Sequence, residues 1–211
     1  MIIVKKRNRK SMSMVVRGDD IIISCPLFIT QKEIDNFIDI NSNWINKQLL
    51  YQRQQRIELN KNFSDNQIVM FGEPTSIIYN SKNNMFDFKN HKLYLKKTNL
   101  TSFIKEYYLA YLNRAVEEIS TILNVKYKTI KLINAKTRWG SCKQDKTLSF
   151  NWRLIFLPID IQRYVIIHEL CHIIEMNHSQ KFWNIVSYNC KNYKELKKDL
   201  KSFSYILSLF R

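Results

Sequence analysis

A chain of 211 residues with 45% hydrophobic and 13% aromatic residues can bury a sizeable core, which excludes a disordered tail or a low-complexity scaffold. Its four cysteines, none in a C-x-x-C pair, exclude a disulfide framework and a cysteine zinc knuckle. The net charge of +16 sits wholly in three windows, residues 1–17, 126–146 and 181–201. Such a surface would attract nucleic acid or another polyanion. A composition crowded with Lys, Asn and Ile accounts for the same excess, and that simpler account stands slightly ahead.

In chain order, residues 2–7, 12–17 and 20–25 read as short strands, with Gly18-Asp19 as a hairpin-type turn and Pro26 closing the third. Basic residues follow the first four positions at once, unlike a signal peptide, and no window reaches the ~18 apolar residues of a membrane helix. The cytoplasm is therefore the expected location, with no membrane partner. Residues 30–57 read as helical, opened by a capping box of Thr30 and Glu33 and interrupted at Asn41 to Asn43. IVMF, SIIY, MFDF and KLYL within 67–97 read as strands, the first two separated by a turn at Gly72-Glu73-Pro74. Phe103 to Leu123 is a strongly amphipathic helix. Strands are expected at 129–135 and 147–156, a helix from Ile161 to about Glu175 with Asp160 as its N-cap, a helix capped by Ser179, and a last one from about Tyr193. The expected fold class is α+β, with an N-terminal β-rich part (1–98, helical at 30–57) and a helix-rich C-terminal domain (99–211).

Three of the four histidines fall in one window, His168, His172 and His178, and the first two lie in HELCH. Chance would place an H-E-x-x-H in roughly 0.003 chains of this composition, so the match carries weight. On a helix, the i, i+4 spacing puts both imidazoles on one face, where they can share one zinc ion. The surrounding residues (Ile161, Val165, Ile166, Ile167, Leu170, Ile173, Ile174) are apolar nearly all round. Two histidines and a glutamate buried there without a partner would cost several kcal/mol, and a metal removes that conflict. The bland alternative is two core histidines bonded to carbonyls, with Glu169 reaching solvent. His178, six residues after His172, is the expected third ligand, at the spacing of H-E-x-x-H-x-x-G-x-x-H proteases, and Glu175 is the runner-up.

These residues carry a resemblance. Thr137 to Val186, with RWGSC (Arg138 to Cys142), NWRL (Asn151 to Leu154), YV-x-x-HELCH and MNHS-x-x-FW (Met176 to Trp183), closely resembles the YgjP-like metallopeptidases. Those are zincins related to SprT and Spartan-type proteases. The N-terminal strands and the Trp44 helix resemble the family more loosely. The resemblance implies a zincin-like domain holding one Zn2+ through His168, His172 and His178, with Glu169 as catalytic acid/base. Glu175 departs from the basic or histidine residue that relatives often carry there, without touching the ligands. The Spartan-type relatives degrade proteins crosslinked to DNA, which by analogy gives the positive charge a use.

The expected reaction is hydrolysis of a peptide bond by a water activated at zinc, with Glu169 as general base and a protein or peptide as substrate. The alternatives are a zinc-dependent nuclease, which would carry H-G-x-L-H rather than H-E-x-x-H, and a nucleic-acid-binding protein with a structural zinc. The strand at 147–156 could pair with extended substrate, or be an ordinary interior strand. Arg138 and Arg153 read first as structural and second as oxyanion donors. Trp139, Trp152 and Trp183 read as core or pocket wall, Cys171 as packing, and Cys142 has no base beside it to make it a nucleophile.

Overall fold

The computed structural model describes every residue except 18, 65, 97–99 and 209–211. It separates into two compact units, Met1–Lys61 and Asn62–Arg211. The change of character expected near residue 98 lies outside the described residues, as does Gly18 of the expected hairpin turn.

In the first unit, β1 (Ile2–Arg7), β2 (Ser13–Arg17) and β3 (Asp20–Pro26) form a sheet of order β1-β3-β2, parallel on one side of β3 and antiparallel on the other. The capping box at Thr30 and Glu33 is present and opens α1 (Gln31–Ile40), followed by α2 (Ser42–Asn62). A small core of Ile23, Cys25 and Ile34 joins α1 to the sheet.

The second unit begins with β4 (Gln67–Met70), β5 (Glu73–Tyr79), β6 (Met85–Asp87) and β7 (Lys92–Leu95), in the order β4-β5-β7-β6. The turn between β4 and β5 is Phe71-Gly72, one residue earlier than the sequence suggests, with both residues at positive φ. A left-handed residue followed by glycine suits the right-handed twist of a two-residue hairpin. The tip of that hairpin is anchored at Ile155 and Pro158, just ahead of the helix that carries HELCH. The Phe71 amide donates to the Ile155 carbonyl, and a Cβ on Gly72 would come within 2.9 Å of Pro158 Cα.

A long helix, α3 (Leu100–Ile122), leads into β8 (Thr129–Ile133), β9 (Gly140–Cys142) and β10 (Thr147–Asn151), in the order β8-β10-β9. Residues 152–156, expected to continue the last strand, instead form a 3-10 turn. The Asn151 side chain accepts from the Arg153 amide there, giving the backbone a local alternative to the ladder. Then come α4 (Ile159–Cys171), α5 (Gln180–Asn189) and α6 (Tyr193–Ser202). Asp160 lies inside the first turn of α4 rather than at its N-cap, which is Pro158. The helix α4 packs against α3, α5, α6 and β9, so it is buried on nearly every side within a single core.

Candidate metal centre

His168 stands on the last turn of α4, and His172 is its C-cap residue. The helix stops there, earlier than Glu175, and a turn returns the chain. The Ile174 and Glu175 amides both donate to the Cys171 carbonyl, the Asn177 side chain accepts from the Ser179 amide, and Ser179 caps α5. This return brings His178 back to the helix. The nitrogen donors of His168, His172 and His178 all lie within 4.8 Å of one another, with the two Nε2 atoms of His168 and His178 3.0 Å apart.

Phe182, fully buried on the first turn of α5, forms the floor beneath the three rings. Its centroid lies 4.9, 4.5 and 4.8 Å from those of His168, His172 and His178. Trp183 stacks on His178 at 5.6 Å and on Tyr193 at 5.5 Å, with Lys197 Nζ 4.0 Å above its ring.

The donor set fits a metal ion. His172 directs Nδ1 at the Glu175 carbonyl (3.2 Å), and a proton on Nδ1 leaves the Nε2 lone pair free. Burial, reinforced by His172, His178 and Lys197, pushes His168 down to about 3, and burial also lowers His172. Neutral imidazoles are what a cation requires. The Nδ1 atom of His168 is buried with no hydrogen-bond partner among the described residues. The Nε2 atoms of His168 and His178, at hydrogen-bond distance from each other, are close enough for one cation to take both as ligands.

Glu169 is buried, and burial pushes its carboxyl up to about 8, with the positive charge of Arg138 acting the other way. Its carboxyl end lies against Gly140 of β9. Glu175 is placed apart from the histidine donors, its carboxylate 3.5 Å from Lys181 Nζ. Cys171 and Cys142 lie outside the cluster, and burial raises their thiols to about 12 and about 11. Arg153 is buried, donates from Nη1 to Asn134 Oδ1 at 2.6 Å and lies over Trp152, a structural arrangement. Arg138 is exposed. Trp152 is core, Trp139 packs against the core, and Trp183 is a wall of the site. Phe182 and Gly140 join the site; both lie in stretches that carry the family resemblance, FW and RWGSC, without a role assigned to either there.

A buried helix bearing H-E-x-x-H, with a third histidine folded back on it, is the arrangement of a zincin-like metallopeptidase. A family model described as YgjP-like, metallopeptidase domain, matches residues 10–203, and the chain belongs to that family. It is thus a metallopeptidase, whose family implies a catalytic metal.

Two solved structures are similar in part. One is the metallopeptidase zymogen of Pyrococcus abyssi abylysin, 20% identical, with a TM-score of 0.39 over 42% of this chain and 90% of that one. The other is the metallopeptidase zymogen of Methanocaldococcus jannaschii jannalysin, 30% identical, with a TM-score of 0.35 over 43% of this chain and 95% of that one. No curated protein matches. Among the described residues, no helix is long and apolar enough to cross a membrane.

Proposed function

We propose that this chain hydrolyses peptide bonds with one zinc ion held by His168, His172 and His178, and with Glu169 as general base and acid. The observation that carries the reading is the convergence of three imidazoles over Phe182, one residue from a buried carboxyl on the same helical turn. Zinc in such a site supplies a Lewis acid that acidifies water and polarises a carbonyl. A cation held by the three histidines would offset the burial of Glu169 and favour its ionised form, so that it takes the proton of the attacking water on a carboxylate oxygen and returns it to the leaving amine.

For substrate, the interior place of β10 between β8 and β9 removes 147–151 as a docking strand, since both its edges are paired. The edge strand β9 is the better candidate. It pairs with β10 alone among the described strands and lies beside Glu169, where an extended peptide could add to it.

Association with nucleic acid is the finer part of the proposal. Lys194, Lys197, Lys198 and Lys201 are exposed along α6, Lys191 lies over the exposed Tyr188, and Lys197 reaches the wall of the site. A cytoplasmic location suits its four free thiols.

The test compares zinc-loaded wild type with Glu169→Gln on an unfolded protein, with and without single-stranded DNA, alongside an RNA substrate. Glu169→Gln should keep one zinc per chain and lose turnover by about 10²–10⁴-fold. Near-normal turnover would remove Glu169 from the mechanism. RNA cleavage with the protein intact would replace the peptidase reading by the nuclease. Stimulation by DNA that fades with added salt would support the basic surface as a docking site.

A further inference from the structure

Gly140 is not required by its backbone, because Gly72 is the only described glycine at positive φ. Space is the issue. A Cβ built on Gly140 would lie 2.6 Å from Oε1, 2.7 Å from Cγ and 2.9 Å from Cδ of Glu169, and these are its three nearest neighbours. Real Cβ contacts essentially never fall below 3.0 Å, so something would have to move.

The strand cannot easily give way. Gly140 is in register with the fully buried Phe150, and the Trp139 carbonyl accepts from the Asn151 amide at 2.7 Å. The Arg138 carbonyl accepts from Asn151 Nδ2 at 3.2 Å, and the Lys143 amide donates to the Thr147 carbonyl at 3.0 Å. The helix cannot give way either, since Ile166, Leu170 and Cys171 of α4 are fully buried. Only the Glu169 side chain is free to turn aside.

We propose that Gly140 is a positioning residue, whose missing side chain leaves the space in which β9 holds the Glu169 carboxyl. The inference rests on Glu169 being the acid/base, but the contact itself can be tested without that assumption. Gly140→Ala is made in three backgrounds, wild type, Glu169→Gln and Glu169→Ala, and the urea unfolding of each zinc-loaded full-length chain is followed. The glutamine background keeps the atoms that collide, and the alanine background removes them. Gly140→Ala should therefore shift the unfolding midpoint alike in the first two backgrounds and differently in the third. If the single variant fails to fold, the Gly140→Ala/Glu169→Ala pair should recover the fold. The same effect in all three backgrounds, none included, would overturn the contact.

Activity tests its consequence. Gly140→Ala should retain zinc, with the affinity measured by chelator competition within about threefold of wild type. It should lower kcat by about a hundredfold, a larger effect than any change in KM from its place on the docking strand, as expected when a general base is misplaced. Full turnover by Gly140→Ala would overturn the positioning role. Full turnover by Glu169→Gln alone would instead overturn the assignment of Glu169 and leave the contact standing.

Discussion

Phe182 constrains the three histidines through contact rather than hydrogen bonding. His172 has a carbonyl to fix its ring, whereas His178 sits in an exposed loop with Trp183 stacked on it at 24°. Removing that stack should cost metal affinity more than stability. Trp183→Ala is expected to weaken zinc binding by about 10–100-fold, the usual effect of losing a group that orients a ligand. Trp183→Phe should recover most of it. Equal affinities for all three proteins in a chelator competition would show that His178 needs no such support.

Glu169 offers a second test, made on protein stripped of metal by a chelator. The carboxyl keeps its proton up to about 8 in the folded chain, against an ordinary value of 4.5. Between those values the folded state binds more protons than the unfolded one, so stability falls as pH rises through the window. Glutamine has no such slope. Metal-free Glu169→Gln should gain on metal-free wild type steadily from about pH 4.5 to about pH 8, by a few kcal/mol in all. Parallel stability curves would mean that the carboxyl reaches water.

At the scale of elements, the loop that delivers β9 to the helix hangs on one buried side chain. Asn151 donates to the carbonyls of Ala135 (2.8 Å) and Arg138 (3.2 Å) and accepts from the Arg153 amide (3.2 Å). Asn151→Ala removes all three bonds and leaves the buried Arg153 amide unsatisfied, which should cost on the order of 3 kcal/mol in urea unfolding. A cost below about 1 kcal/mol would show that the loop is held elsewhere.

The same region marks where sequence patterns stop being legible. HELCH declared itself because helical spacing and an apolar surround act over many residues, and α1 because a capping box is a local bond pair. TLSFNWRLIF alternates polar and apolar residues as far as Leu154, so its period-2 pattern runs past Asn151, where the strand ends. Its break is made by the Asn151 side chain, which accepts from the Arg153 amide and is itself held by bonds to residues 13 and 16 positions away. The strand β9 is three residues long, below any periodic signal, and exists because β10 pairs with it. Phe182 reads as an ordinary apolar residue, and its role appears only when the return turn folds His178 over it.

At the scale of the whole molecule, the two units differ in how much they bury. Met1–Lys61 centres on Ile23, Cys25 and Ile34, while Ile2, Val4 and Val15 of its outer strands remain exposed. A unit of that size buries a smaller share of its surface and is correspondingly marginal. Asn62–Arg211 has a continuous core running from Ile68 through α3 and α4 to Ile206. Every proposed zinc ligand lies in that second unit. A ligand stabilises only the structure that must be folded to bind it. Hydrogen exchange in rising denaturant should therefore release the amides of β1–β3 before those of α4. Adding zinc should raise the second transition and leave the first in place. One transition, moved as a whole by zinc, would show instead that the small core unfolds only when the large one does.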